Sequence, residues 1–328
     1  MKKNLILKMM GLLLSFSLFA TGCGSAQTPS ASQTPAAQAK PVKIGVQPIE
    51  DNFPFSVAEK DGLFTKDGVE VQLINFASAQ ERDAALQAGQ IDGEVADLLA
   101  VALLKKIGTD VKIASIGLGT TPQEGRFALL SSPKSTIKNP ADLKGASLGI
   151  SENTIIDYVT DQMLKDKGVS AGDVKKVSVP KTPVRMDMLL SDQIQAAVLP
   201  DPLAALAQAK GAHLIMDDTY RNISQTVLLF RTKSIQDNPA GIKAVVSAYG
   251  EAGQALTKNP EQYRALFLEK NQIPEPIKDT YKITTFSKLQ LPTEDEVNSV
   301  MKWMEDKKLI TKAYSYQELV DPSLLPKQ

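Results

Sequence analysis

One cysteine, one histidine and one tryptophan stand among 328 residues, and 37 basic residues balance 37 acidic ones. Cys23 alone forms no internal disulfide, and Cys23 with His213 supplies neither a thiolate cluster nor a multi-histidine metal site, so no metal and no cofactor are expected. Zero formal charge gives no global field to attract nucleic acid. No Ser-His-Asp arrangement, Walker loop or EF-hand pattern occurs either, and no enzymatic activity is expected. The apolar run from Met9 to Ala20, broken by Gly11, Ser15 and Ser17, is about a dozen residues long, against the roughly 20 of a spanning helix. What is present suffices for a core: 43% of residues are apolar, in a length suited to one large or two medium domains.

Lys2, Lys3 and Lys8 precede that apolar run, and it ends at Ala20-Thr21-Gly22-Cys23. A basic segment, a short apolar segment and small residues at a cleavage point make an export signal. The segment resembles a bacterial lipoprotein signal, which implies a signal peptide over residues 1–22 and lipidation of Cys23. Residues 23–40, an uncharged run of Ala, Ser, Gln, Thr, Pro and Gly ending in Lys40, then read as a flexible tether. Loss of residues 1–22 removes three lysines and no acid, which leaves the remainder slightly acidic.

An internal repeat organises the rest. Val42-Lys43-Ile44-Gly45-Val46 recurs as Ala146-Ser147-Leu148-Gly149-Ile150, and Arg82, Leu86, Gln90, Ile91 and Val95 align with Arg185, Leu189, Gln193, Ile194 and Val198 at nearly the same offset. The first copy reads as strand Val42 to Val46, a helix near Ser56 to Lys60, strand Val69 to Asn75, helix Gln80 to Ala88 and strand Ile91 to Val95. The second reads as strand Ala146 to Ile150, helix Ile155 to Lys165, strand Val174 to Val179, helix Val184 to Leu190 and strand Ala196 to Leu199. Short apolar strands alternating with helices predict an α/β fold of parallel sheets covered on both faces.

A weaker echo marks the junctions: Phe127 to Leu130 and Val227 to Phe230 each lead through Lys-Ser to Asn-Pro-Ala. These read as two crossover strands joining two Rossmann-like lobes, residues 41–128 plus 227–328 forming lobe 1 and 129–226 lobe 2. Asp97 is placed to cap the apolar helix that follows it. Thr293 and Glu296 form a capping box before the stripe Val297, Val300, Met301 and Met304, where Trp303 reads as core.

Three segments carry a family likeness: Phe55 to Phe64 with its Ala58, Gly62 and Phe64, Ala84 to Gly93 with Ala85-Leu86 and Ile91-Asp92, and Asp142-Leu143-Lys144-Gly145 before the first strand of lobe 2. With the tether and the two lobes they resemble the solute-binding lipoprotein of an ABC importer with the periplasmic-binding-protein type 2 fold, in the sulfonate-binding and NMT1/THI5-like group. The resemblance implies a monomer anchored by lipid to the extracytoplasmic face of the cell membrane, with a small-molecule solute and the ABC permease and ATPase subunits as partners. Wider-family proteins that make the thiamine pyrimidine use a histidine-rich site, which His213 alone does not provide. A ligand-sensing lipoprotein without a transport role is a further alternative.

Ligands of open α/β sheets bind beyond the carboxyl ends of the strands. The candidate loops are 47–55, 77–80, 94–97 and 117–126 in lobe 1, and 151–155, 181–184 and 199–202 in lobe 2. They give the candidate set Gln47, Glu50, Asp51, Phe53, Phe55, Ser78, Glu94, Asp97, Arg126, Ser151, Asn153, Thr154 and Asp201. Ser78, Ser151, Thr154 and Arg126 suit a sulfonate, taurine or nitrate anion. The carboxylates Glu50, Asp51, Glu94, Asp97, Glu152 and Asp201 favour an amine or a nitrogen heterocycle resembling a thiamine precursor. Phe53 and Phe55 are placed to stack on a planar ring, whereas capping is the structural alternative for Asp97 and Ser78.

Overall fold

The computed structural model describes residues 40–221 and 223–326. The expected signal peptide, the expected lipidation site Cys23 and almost all of the expected tether lie outside these residues. In chain order the elements are β1 (Val42–Val46), α1 (Phe53–Lys60), α2 (Leu63–Lys66), β2 (Val71–Asn75), α3 (Ala79–Gln87), β3 (Gly93–Asp97), α4 (Leu98–Lys106), β4 (Val111–Leu118), β5 (Phe127–Ser131), β6 (Ser147–Ile150), α5 (Ile155–Asp166), β7 (Lys175–Ser178), α6 (Thr182–Leu190), β8 (Ala196–Pro200), α7 (Leu203–Ala209), β9 (His213–Asp217), β10 (Thr226–Arg231), α8 (Thr232–Asp237), α9 (Pro239–Lys258), α10 (Arg264–Lys270), α11 (Glu294–Asp306) and α12 (Tyr316–Leu319).

Two five-stranded sheets result, ordered β2-β1-β3-β10-β4 and β7-β6-β8-β5-β9. Neither is wholly parallel, which corrects the expectation from the repeat: β10 runs antiparallel to β3 and β4, and β5 antiparallel to β8 and β9. The reason is the route of the chain. It leaves each sheet at the end of a strand that points toward the other lobe, so it enters the next sheet from that same edge and must run the opposite way. The connections between the lobes are therefore residues 119–126 and 218–225, irregular at every described position, and the two expected crossover strands each lie wholly inside one sheet. Phe127 and Ala128 pair in the second sheet and Thr226 in the first, a shift of one or two residues from the expected lobe limits. The second segment is tied to the start of β5, where the Phe127 N–H donates to the buried Asp218 carboxylate at 2.8 Å.

Alternation along the strands divides the core. Leu228 and Phe230 face the layer built on α1 and α9, while Val227 and Leu229 face that built on α4 and α11. The capping box at Thr293 and Glu296 starts α11 as expected, and Val297, Val300, Met301 and Met304 are buried. Trp303 is buried too, but it reaches the other lobe: its indole donates to Asp161 of α5 at 3.1 Å and meets Tyr158 edge-on at 5.5 Å.

The repeat has a physical cause. Arg82 donates to the Val95 carbonyl at 2.7 Å, and its counterpart Arg185 donates to the counterpart Val198 carbonyl at 2.9 Å. Each arginine lies over the glycine of its first strand. A Cβ on Gly45 would stand 2.6 Å from Ile91 Cδ1 and 3.0 Å from Arg82 Cγ; on Gly149 it would stand 2.5 Å from Ile194 Cδ1 and 3.2 Å from Arg185 Cγ. Gly149→Ala is expected to destabilise the protein by about 1–3 kcal/mol through overpacking, and adding Ile194→Val to recover part of that loss. Urea unfolding checks both; an unaffected Gly149→Ala would contradict the close-approach explanation.

Candidate functional site

The carboxyl ends of β1, β3, β4, β6 and β8 face one another across a cleft. Its wall includes Gln47, Glu50, Asp51, Asp97 and Leu118 on the first lobe, Ser151, Thr154, Thr182 and Asp201 on the second, and Glu124, Arg126 and Thr226 beside the connecting segments. Two contacts span the mouth: Gln80 Nε2 donates to Ser151 Oγ at 3.0 Å, and Lys181 pairs with Glu81 at 3.0 Å.

Of the predicted residues, Gln47, Glu50, Asp51, Asp97, Arg126, Ser151, Thr154 and Asp201 thus share one wall. The others stand elsewhere. Phe53 and Phe55 are not in a loop but in the first turn of α1, where Pro54 is favoured, and both rings are buried. Phe53 packs edge-on against Phe267 at 5.0 Å, and Phe55 against Tyr249 at 4.9 Å. The Tyr249 hydroxyl in turn donates to the Asp51 carbonyl at 2.7 Å. The two phenylalanines therefore belong to a platform beneath the acidic turn. Ser78 caps α3, accepting from the Glu81 N–H at 3.2 Å. Glu94 is fully buried behind the wall, paired with Arg82 at 3.3 Å. Glu152 and Asn153 are exposed, the latter with φ of 59° and its N–H on Asp157. Asp97 has both of its candidate roles, for it lines the cleft and accepts from the Ala100 N–H at 2.9 Å as the cap of α4.

Three residues outside the candidate set also belong to this arrangement, Arg82 and Glu124 in the wall and Tyr281 behind it. Arg82 carried a signal, its place in the repeat, and Glu124 lay inside a candidate loop. Tyr281 carried none: it lies in the irregular stretch 281–293, yet its hydroxyl donates to Glu50 Oε1 at 2.8 Å.

The two arginines of the cleft are already engaged. Arg126 pairs with Asp201 at 3.0 Å and Asp217 at 3.7 Å and donates to Gln208 at 2.7 Å. Arg82 holds Asp83 at 2.8 Å as well as Glu94, and donates to Gln47 at 3.1 Å. Burial acts to lower the Arg82 guanidinium, but Glu94, Asp83 and Asp97 overcome it and raise it. Glu50 and Asp51 have no such ion pair among the described residues. Burial, helped by the neighbouring Asp201, pushes the Glu50 carboxyl up to about 8, against the pull of the Tyr281 hydroxyl. Burial likewise pushes Asp51 up to about 6, and raises Asp97 and Asp201.

A negative solute entering this site meets like charge wherever a carboxyl is ionised, Asp51 above about pH 6 and Glu50 above about pH 8. At 4 Å and an effective dielectric of about 20, each contact with an ionised carboxylate costs about 4 kcal/mol. A positive solute is attracted and shifts the carboxyls toward ionisation.

A carboxyl that titrates higher when folded holds its proton more tightly in the native state. The native stability it supports is greatest at and below the ordinary carboxylate range and is lost as pH rises toward about 8. Glu50→Gln removes this dependence, so urea unfolding between about pH 5 and pH 9 should give a profile flatter by roughly 4 kcal/mol than that of the unaltered protein. Parallel profiles would contradict the assignment to Glu50.

A family model, the NMT1-like family, matches residues 35–267. A putative binding protein of Brucella abortus (strain 2308) is 26% identical over 289 residues, which cover 81% of this chain and 84% of that protein. A putative thiamine biosynthesis protein of Haemophilus influenzae is 26% identical over 286 residues, covering 82% and 87%. Among solved structures, the periplasmic aliphatic sulphonate binding protein SsuA from Escherichia coli superposes with a TM-score of 0.71 at 19% identity, over 88% of this chain and 99% of that one. With two mixed sheets facing across a cleft, the chain has the periplasmic-binding-protein fold and belongs to the NMT1-like family.

Proposed function

We propose that this protein is the extracytoplasmic solute-binding component of an ABC importer, and that its solute is a small cation or amine-bearing nitrogen heterocycle. The observation that carries the choice of solute is the charge of the cleft: Glu50, Asp51, Asp97, Glu124 and Asp201 line it, and its two arginines are each held by carboxylates of the protein. The likeness to binding proteins and to a thiamine biosynthesis protein supports the class. In this reading the lobes close on the solute by bending at 119–126 and 218–225, and the closed monomer delivers it to the permease while a lipid on Cys23 keeps the protein at the membrane. Capture rather than turnover fits the position of the lone histidine: the His213 ring lies on β9, 3.2 Å from the Pro133 carbonyl.

The likeness to SsuA favours a second reading, an alkanesulfonate or similar anion held at the start of α5. Thr154 there is engaged within its own turn, accepting from the Ile156 N–H at 3.3 Å and donating to the Ser151 carbonyl at 2.7 Å.

Thermal shift separates the two. In a panel of aminopyrimidines, primary and quaternary amines, taurine, ethanesulfonate and nitrate, the cationic members are expected to stabilise the protein, by about 2.7 kcal/mol at 100 times the dissociation constant. Their affinity is expected to rise with pH through the window from about 6 to about 8 in which Asp51 and Glu50 ionise. Stabilisation by sulfonate or nitrate alone would sink the cationic reading.

A further inference from the structure

The stretch 281–293 contains no helix or strand, yet it is firmly held. Phe286 is buried, its N–H donates to Thr257 Oγ1 on α9 at 2.7 Å, and its carbonyl accepts from Gln254 Nε2 at 3.0 Å. Further on, the Gln290 carbonyl accepts from the Ile116 N–H of β4 at 2.7 Å. Between and beside these anchors, three polar side chains of the strap hold groups of the cleft wall. The Tyr281 hydroxyl donates to Glu50, the Ser287 hydroxyl donates to Glu124, and Thr284 Oγ1 accepts from the Gly125 N–H at 3.3 Å. The Tyr281 ring is fixed in its turn, stacked on Phe267 with centroids 5.9 Å apart and planes 9° from parallel. The family match ends at residue 267, so every one of these strap side chains lies beyond it.

We propose that the strap adapts a shared cleft to this chain's own solute, with Tyr281 and Ser287 as positioning residues that aim Glu50 and Glu124 and thereby select the cation. The inference rests on the cationic reading of the cleft. A tyrosine hydroxyl is suited to the task because it is a neutral donor at working pH. It fixes one carboxylate oxygen without cancelling the charge, which an arginine in its place would do, and leaves the other oxygen to the solute. The charged and titratable groups facing Glu50 are Asp51 on its own turn, Asp201 after β8, Arg126 on the connecting segment and Tyr281 on the strap. Arg126 is shared with Asp201 and Asp217, so the Tyr281 bond is the contact dedicated to Glu50.

Tyr281→Phe tests this, because it keeps the ring on Phe267 and removes only the donor. The first readout needs no ligand: carboxyl 13C NMR titration of the full chain, with the Glu50 signal assigned by its loss in Glu50→Gln. The Glu50 midpoint is expected to rise by about one pH unit in Tyr281→Phe, because the lost bond favours the charged form. An unchanged midpoint overturns the proposal, whereas a protein that merely packed less well would lose thermal stability without moving it. The second readout is calorimetric affinity for a cationic aminopyrimidine, used as the probe. Tyr281→Phe is expected to weaken it about tenfold at pH 7 and to approach the unaltered protein at pH 9, and Ser287→Ala to change the ranking among cations. If the unaltered protein binds cations and Tyr281→Phe leaves affinity, midpoint and ranking as they were, the strap proposal fails and the cationic reading stands. If the unaltered protein binds only anions, the cationic reading fails and with it the strap's selection of a cation, and the midpoint then reports only whether Tyr281 positions Glu50.

Discussion

Carboxylates buried at the ends of parallel strands are the constraint around which this molecule is arranged. Glu50, Asp51, Glu94, Asp97 and Asp201 are largely removed from water, and a buried ion without compensation costs several kcal/mol. The fold answers in different ways. Glu94 and Asp201 are paired with arginines, Asp97 caps a helix, and Glu50 accepts a tyrosine hydroxyl while its carboxyl is pushed up to about 8. The compensation is unequal, and the inequality is what gives the cleft its preference. Burial raises all five, but Glu50 and Asp51 line the cleft without an ion pair among the described residues, and these are the ones a positive solute can engage.

The two halves of the chain show how such a site arises from a duplicated frame. Arg82 and Arg185 perform the same structural task, each clamping the carbonyl of the following strand across a glycine. Their surroundings differ. Arg82 is ringed by Asp83, Glu94 and Asp97, while Arg185, equally buried, has only neutral oxygen acceptors, and burial alone lowers it to about 10. The acidity of the cleft is therefore concentrated in the first lobe and the connecting segments. The second lobe contributes Ser151, Thr154 and Thr182, together with the Asp201 that holds Arg126.

Much of this was legible in the sequence because local patterns produce local structure. The strand at Val42–Val46 lies where its alternation places it, and Asp97 before an apolar run is both cap and cleft residue. The repeat exposed Arg82 and Arg185 together without saying what either would touch. What escaped depends on contacts distant in the chain. Phe53 and Phe55 flank a proline and suggest a loop, but Pro54 suits the first turn of a helix, and the rings are drawn to Phe267 and Tyr249 some 200 residues away. Tyr281 sits in a stretch without periodicity, so nothing near it in sequence points to Glu50. The antiparallel course of β5 and β10 follows from the path between lobes, which a strand pattern does not encode.

The central claim is that the cleft meets a cation with a carboxyl that gives up its proton. The most direct measurement is calorimetric titration at pH 7 with the strongest-binding solute, repeated in buffers of different ionisation enthalpy, which counts protons exchanged on binding. Glu50, held up to about 8 before the solute arrives and favoured as the anion beside it, predicts net proton release. Proton uptake, the signature of an anion entering a carboxylate-lined site, would contradict the account.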